Sequence, residues 1–550
     1  MTERVKRFLR RWGWHLGVAL VCLLIFKLAR SMQEEGHGWG DDFALYIDQA
    51  RGLTDGSVGE VVALTRYALD NSAYHTFSAD VYPWVFPMLL APVVAWKGID
   101  YSALKFVVTL CFVAALFVMQ RVFRHRIGEI GALVIMLAVG LNNIYLGYTD
   151  AVLTDMTFML AVFVALWWMD RVIVRGRLFG AAWQPLFGMG VLAAVAFNTR
   201  REGVALLFGI AAAQAAHWAA GRDLWRRTKA AGGRPWKRLA LTAATPYIGF
   251  AVVAAAFQLI LPGQPYQRFA DAGGSGRHNM VFNLKWYKLP LAELLGLKDV
   301  GPHPITLFGS EALGTAVFWI LLGAVVVGIV WRMVVAAKVD AHLAGTLIAL
   351  ALLILAPPFR ENRYLFSLLP LMLYFAWQGF DALQQAVVFV VARRRVRTPA
   401  VLASLVLALP MIAVATDTRL AYQYHRDYSY VEWGPAYPTA QEAFDAVLQY
   451  TEPSDVIVFY QARTMNLYTR RKAVQGNSES MMLQQGDWYL MAKNSDYIQT
   501  NLTDARAAEL GFVKYWENAN FVLWRIPPRY PTLPASGGIP PPVTTSEPPG

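Results

Sequence analysis

Eleven apolar runs divided by short basic stretches constrain this chain more than any other feature. They occupy 13–29, 102–120, 129–147, 152–169, 180–197, 203–219, 239–261, 312–334, 343–357, 363–380 and 400–416. A helix needs about 20 apolar residues to cross a bilayer, with a range of roughly 17–25. With 56% of its 550 residues hydrophobic and only 16% charged, the chain reads as a polytopic α-helical membrane protein and not a soluble one. The net charge of +12 does not point to nucleic acid. The basic residues cluster between apolar runs, at 121–126, 171–177, 222–238, 332–338 and 393–397, which is the pattern of cytoplasmic loops. Cys22 and Cys111 lie inside apolar runs and define neither a disulfide framework nor a metal site. The basic N-terminus followed by Lys27 and Arg30 reads as an uncleaved first span, because no small-residue cleavage site follows the apolar stretch.

A shorter apolar piece, 82–96, carries Pro83, Pro87 and Pro92. Prolines at this spacing are expected to break a helix. If this piece does not cross, all five basic clusters fall on the cytoplasmic side; if it crosses, all fall outside. The charge bias therefore favours a re-entrant or interfacial segment and about 11 full spans. The piece 384–392 is too short to cross and is expected against the inner face. On this count the loop 30–81, the turn 148–155, the loop 262–310 and everything from Asp417 share the outer side of a cell (inner) membrane, with the N-terminus cytoplasmic. Three regions follow: a transmembrane domain 1–416, a small extracytoplasmic α/β domain 417–527, and a disordered Pro-rich tail 528–550. Within the α/β domain, 439–450 and 462–468 read as helices, and 455–460, 488–493, 512–516 and 521–526 as strands.

The residues able to carry chemistry gather on that outer side. Asp41 and Asp42 begin an amphipathic helix whose apolar face is Phe43, Tyr46, Ile47 and Ala50. Asp42 suits an N-cap. Beside a cavity at the bilayer boundary, the same carboxylate suits a general base that deprotonates an attacking hydroxyl. Asp150 and Asp155 flank the next outer turn, with Asp155 at the mouth of an apolar run, where a carboxylate is a functional candidate. Arg200, Arg201, Arg360 and Arg363 stand on the outer side against the general charge bias. Either they pair internally with Glu202 and Glu361, or they hold a lipid phosphate or pyrophosphate, which a guanidinium grips bidentately. The loop 262–310 mixes aromatic and basic residues, among them Tyr266, Arg268, Arg277, His278 and Trp286, and assigns no role by itself.

In order along the chain stand Asp-x-x-x-Tyr (Asp42 to Tyr46), Tyr82-Pro-Trp-Val-Phe-Pro-Met-Leu-Leu90, Thr154-Asp155, Thr199-Arg-Arg-Glu-Gly203 and an Arg-Tyr-Leu-x-x-x-x-Pro element from Arg363 to Pro370. Together they resemble the GT-C superfamily of integral-membrane glycosyltransferases, which includes protein O-mannosyltransferases and the aminoarabinose transferases of lipid A. The resemblance implies a polyprenyl-phosphate-linked sugar donor and an extracytoplasmic acceptor hydroxyl on protein, glycan or lipid. It implies Asp42 as the catalytic base with Asp41 as neighbour, and Asp155 as the second acid, here Asp where many relatives have Glu. Tyr46, Tyr82 and the four arginines are the candidate substrate-binding residues. No His/Cys metal constellation is present, and a divalent cation stays open. A transporter or lipid flippase, using the same rim charges as a pathway, is the rival class. A non-catalytic scaffold, in which those charges pair off, is a third.

Overall fold

The computed structural model describes residues 3–73, 79–175, 178–179, 182–219, 235–262, 276–297, 304–357, 360–391, 398–427, 430–493 and 497–528. They fall into two compact units: the described residues of Met1–Arg66 with Thr76–Tyr437, and those of Tyr67–His75 with Pro438–Gly550. The tail 529–550, the basic stretches 222–234 and 393–397, and the side chains of Tyr266, Arg268, Arg277 and His278 lie outside the described residues.

The first unit is helical: α1 (Glu3–Ser31), α2 (Asp42–Asp55), α3 (Val58–Asn71), α4 (Val85–Lys97), α5 (Tyr101–Gly140), α6 (Asn143–Tyr148), α7 (Asp155–Val174), α8 (Trp183–Phe197), α9 (Ala205–Ala219), α10 (Pro235–Ile260), α11 (Gly276–Leu294), α12 (Glu311–Leu355), α13 (Leu369–Val391) and α14 (Thr398–Asp427). The end of α3 groups with the second unit. Two long helices each join two apolar runs at a single kinked residue. In α5 this is Gly128, at φ 77° and ψ 172°, a backbone that a side chain disfavours. In α12 it is Ala336.

Five described helices are long and apolar enough to cross a membrane. By contrast α8 and α9, at 15 residues each, rise only about 22 Å. Length alone therefore delivers fewer crossings than the eleven expected from hydropathy.

Three local expectations change. The run 129–147 is not one helix: α5 stops at Gly140, and the Asn142 side chain accepts from the Ile144 and Tyr145 N–H groups to start α6. The piece 384–392 is not separate. No proline separates it from the preceding run, and α13 continues through it to Val391. The prolines of 82–96 do not break a helix either. Pro83 precedes α4, Pro87 sits in its first turn where an N–H has no intrahelical partner anyway, and Pro92 is carried inside it.

Small residues set the packing of two helix pairs. A Cβ on Gly328 of α12 would stand 1.8 Å from Phe375 O of α13, and one on Gly379 of α13 would stand 1.9 Å from Ala324 O. Gly190 of α8 and Gly249 of α10 make the same kind of approach to Pro246 O and Phe187 O, at 1.8 and 2.5 Å. Such contacts replace the hydrophobic drive that lipid removes. Gly328→Leu is expected to push α12 from α13 at a cost of about 1–3 kcal/mol or more, read as a lower unfolding temperature in detergent. An unchanged unfolding temperature would mean the two backbones do not meet there.

The second unit is a five-stranded sheet with helices: α15 (Pro438–Tyr450), β1 (Val456–Val458), α16 (Ala462–Thr469), β2 (Lys472–Val474), α17 (Glu479–Gln485), β3 (Trp488–Ala492), α18 (Asp504–Glu509), β4 (Val513–Glu517) and β5 (Phe521–Arg525). The order is β2-β1-β3-β5-β4, with β1 parallel to β2 and β3, and β5 antiparallel to β3 and β4. Val458, Val474, Tyr489, Val522 and Trp524 are among its core residues. The sequence showed four of the five strands; β2 escaped because three residues carry no periodicity. The chain segment after Tyr67 also belongs here: Ala73 N–H donates to Gln475 O at 2.9 Å and Gln475 N–H donates to Ser72 Oγ at 2.9 Å.

Candidate functional site

The first unit draws together five charged side chains that are far apart in sequence. Asp42 is the first residue of α2, not its cap. The cap position belongs to Asp41, whose side chain makes no capping hydrogen bond. Asp42 is thereby released to bond elsewhere: Tyr82 Oη donates to Asp42 Oδ1 at 2.5 Å, and Arg363 Nη2 donates to Asp42 Oδ2 at 2.9 Å. Arg363 belongs to a single 3-10 turn, Asn362–Leu365, just ahead of α13. Its Nη1 lies 3.8 Å from Asp155 Oδ2.

Asp155 opens α7 and also accepts from Arg200 Nη1. Arg200 in turn reaches Glu202 at 3.1 Å. Burial works against the charge on Glu202, yet Arg200 beside it holds its carboxyl below the usual range. Three carboxylates thus share two guanidinium groups. Exposure separates the acids: the Asp42 side chain is 37% exposed, that of Asp155 only 3%. Asp155 Oδ2 and Arg363 Nε are buried without a hydrogen-bond partner among the described residues.

An aromatic wall adjoins Asp42. The Tyr46 and Tyr82 rings stand 4.6 Å apart, and Phe86 meets Tyr46 edge-on at 5.2 Å. Gln49 fixes the backbone of Tyr82 on both sides, donating to its O at 3.0 Å and accepting from its N–H at 2.8 Å. Tyr46 Oη sits 3.4 Å from Thr154 Oγ1, tying α2 to the residue before Asp155. Burial first, then Tyr82 and Asp42, push the Tyr46 phenol well above its ordinary range, so it keeps its proton.

The structure does not bring every candidate into this cluster. Arg360 donates Nε to Asn283 Oδ1 at 2.6 Å and lies 3.9 Å from the Phe282 ring centroid. Arg201 lies over Phe197 at 4.6 Å. Asp150 is held apart by Lys105 Nζ at 2.6 Å, and burial pushes its carboxyl up to about 6 despite that ammonium. The pairing that a scaffold requires is therefore present in part: Arg200 pairs with Glu202 and Arg363 with Asp42, while Asp42 stays open to solvent. Among the described residues no group of three His, Cys, Asp or Glu is placed to hold a metal ion.

Sequence reasoning missed a second charged network. Arg126 Nη1 donates to Asp170 Oδ2 at 2.6 Å and its Nε to Asp340 Oδ1 at 2.5 Å. Asp340 also accepts from Arg332 and from Tyr374 Oη, the latter at 2.8 Å, and His342 Nε2 lies 3.1 Å from Asp170 Oδ1. Asp170 is the sixteenth residue of α7, counted from Asp155. The two acids therefore sit about 22 Å apart along one helix, with this network at the end opposite the Asp42 cluster.

No protein-family profile and no curated protein sequence matches the chain. Solved structures do. ArnT from Cupriavidus metallidurans bound to undecaprenyl phosphate aligns over 93% of this chain and 98% of its own, with TM-score 0.51 and 14% identity. The oligosaccharyltransferase of Archaeoglobus fulgidus tethered to an acceptor peptide aligns over 88% and 70%, with TM-score 0.52 and 12% identity. The chain shares the fold of these two proteins, in line with the resemblance drawn from its motifs. Within this fold, Asp42, Tyr82, Asp155, Arg200 and Arg363, which the sequence placed in separate motifs, form one continuous cluster.

Proposed function

We propose that the chain moves a sugar from a polyprenyl-phosphate carrier to an acceptor hydroxyl on the extracytoplasmic face of the cell membrane, with Asp42 as general base. The observation that carries this reading is the exposure of Asp42, the most open side chain of the ion-pair cluster, beside an Asp155 that is buried. An acceptor hydroxyl can reach Asp42; it cannot reach Asp155. Tyr82 and Arg363 hold the two oxygens of Asp42 in fixed directions, which pre-orients the lone pair that takes the proton. Asp155 and Arg200 hold Arg363 in turn. Tyr46 and Tyr82 offer ring faces to a sugar. Arg360, whose Nε is held by Asn283 and whose guanidinium stacks over Phe282, and Arg201 are assigned to the departing lipid phosphate. Arg363 is engaged by two acids, so its part is to orient Asp42. Charge on the phosphate grows as the sugar leaves, and a preset guanidinium stabilises that growth. About 11 spans with α4 re-entrant, a cytoplasmic N-terminus and an extracytoplasmic second unit complete the proposed topology. The GT-C fold and the positions of the basic clusters support it.

A small apolar cleft lies in the same unit, lined by Ile135, Leu295, Leu321, Leu369, Leu373 and Val414. It is suited to hydrocarbon, and Leu369 begins the helix that follows the Arg363 turn. The rival transporter reading needs charges along a mid-span pathway; Arg126, Asp170 and Asp340 instead pair off beside the kinks of α5 and α12.

Lipid from a strain lacking the protein, radiolabelled, is expected to serve as donor for membranes that contain it, and the accumulating lipid-linked sugar names the donor. The rate is expected to be unchanged by a divalent-cation chelator, because Arg200 and Arg363 already neutralise the inward oxygens of Asp155 and Asp42. No label transfer would sink the enzyme reading; transfer lost to the chelator and restored by a divalent cation would sink the arginine-only site.

A further inference from the structure

The chain before Asp42 and the turn before Asp155 are knitted together. Gln33 Nε2 donates to Thr149 O at 2.7 Å, and Glu34 N–H donates to Asp150 Oδ1 at 3.1 Å. Lys105 Nζ reaches both sides, donating to Glu34 O at 2.8 Å and to Asp150 Oδ1 at 2.6 Å. The contact nearest the two acids is made by His37. Its Nε2 accepts the Val152 N–H at 3.1 Å. That acceptor role places the ring proton on Nδ1, which stands 2.7 Å from Gly38 O and donates to it. The ring packs 4.0 Å from Phe43, the residue after Asp42, and 5.4 Å from Tyr101. Burial drives the His37 pKa down to about 3; the Gly38 carbonyl opposes this and the Lys105 charge adds to it. The imidazole is thus neutral at any working pH, as an acceptor for a backbone N–H must be.

We infer that His37 is a positioning residue of the Asp42 site: its neutral ring ties the turn that leads into Asp155 to the segment that leads into Asp42, and so sets the separation of the two carboxylates across Arg363. The inference rests on the proposed transferase reading. His37 touches no reacting atom. It acts as outer hydrogen-bond partners of an active site generally do, by fixing the direction of groups that do react.

The test compares full-length wild type, His37→Phe, His37→Gln and Asp42→Asn in membranes given the radiolabelled lipid extract as donor. His37→Phe keeps a ring against Phe43 and Tyr101 and removes the acceptor. It is expected to lower kcat roughly tenfold or more, the scale of a misplacement approaching 1 Å, with KM for the donor and the unfolding temperature unchanged. His37→Gln returns an acceptor oxygen near the Nε2 position and is expected to restore most of the rate. The inference is overturned if His37→Phe turns over like wild type while Asp42→Asn is dead, if KM rises with kcat unchanged, or if folded His37→Gln is as slow as His37→Phe. If His37→Phe fails to fold, folded His37→Gln decides: near wild-type kcat supports the inference, and a large loss overturns it. Full activity of Asp42→Asn instead overturns the assignment of Asp42 as base, on which the inference stands, and leaves the transferase reading in place.

Discussion

Asp42→Asn is expected to slow sugar transfer by about 10²–10⁴-fold, the range a positioned general base supplies, while leaving the unfolding temperature near that of wild type. The substitution keeps the shape of the side chain and an oxygen able to accept from Tyr82. It removes the lone pair that receives the acceptor proton and the charge that Arg363 faces. Arg363 is not stranded, because Asp155 still lies 3.8 Å away. That is why the effect falls on rate and not on fold. Asp155→Asn differs in kind: its side chain is 3% exposed and paired to Arg200, so it is expected to disturb the packing of the cluster as well as the rate. Radiolabel transfer beside a thermal unfolding curve on the same membranes separates the two. If Asp42→Asn transfers at the wild-type rate while Asp41→Asn does not, the roles of these neighbours exchange; if both transfer normally, neither is the base.

Much of this site could be read from sequence because its members break local rules. Arginines on the outer side of a membrane protein contradict the charge bias, and that contradiction singled out Arg200 and Arg363. Asp42 and Asp155 stood out as acids beside apolar runs. Which arginine meets which acid could not be read: Arg363 and Asp42 are 321 positions apart, and no local pattern encodes that approach. His37 was overlooked for the same reason, since its meaning lies in the backbone N–H of Val152, not in a neighbour along the chain. Asp42 was expected to cap α2, but the helix begins one residue earlier in register than that required, leaving the cap position to Asp41. The apolar runs located the helices well, whereas the kinks at Gly128 and Ala336 could not be seen from hydropathy, which reports burial and not direction. Arg126 and Arg332 lie in basic clusters that the sequence assigns to cytoplasmic loops, and nothing in those clusters announces the acids they meet. Their acids are Asp170, beside an apolar run of α7, and Asp340, which meets Arg126 from another helix and Arg332 across the kink of their shared helix α12.

The network around Arg126 gives the largest expected effect on stability. Arg126 is 3% exposed, and its two acids, Asp170 and Asp340, are 9% and 0% exposed. Arg126→Met is expected to cost about 3–5 kcal/mol, the scale for removing one partner of a buried ion pair, because the charge left behind has lost its compensation while its desolvation remains. The cost falls unevenly. Asp340 retains Arg332 and the Tyr374 hydroxyl, whereas Asp170 keeps the nearby His342 but no other arginine or lysine ion pair among the described residues. Adding Asp170→Asn to Arg126→Met is therefore expected to recover part of the loss, since the orphaned charge is then gone. Adding Asp340→Asn is expected to recover less. These outcomes read directly as unfolding temperatures in detergent and as protein abundance in membranes. An Arg126→Met protein as stable as wild type would show that the network does not hold the kinked ends of α5 and α12 to α7. A stable but inactive one would show that the network serves the reaction from the far end of α7. The expected result, unstable yet with unaltered rate per folded molecule, assigns this cluster to holding α5 and α12 against α7 and leaves the proposed chemistry to the Asp42 cluster at the other end of α7.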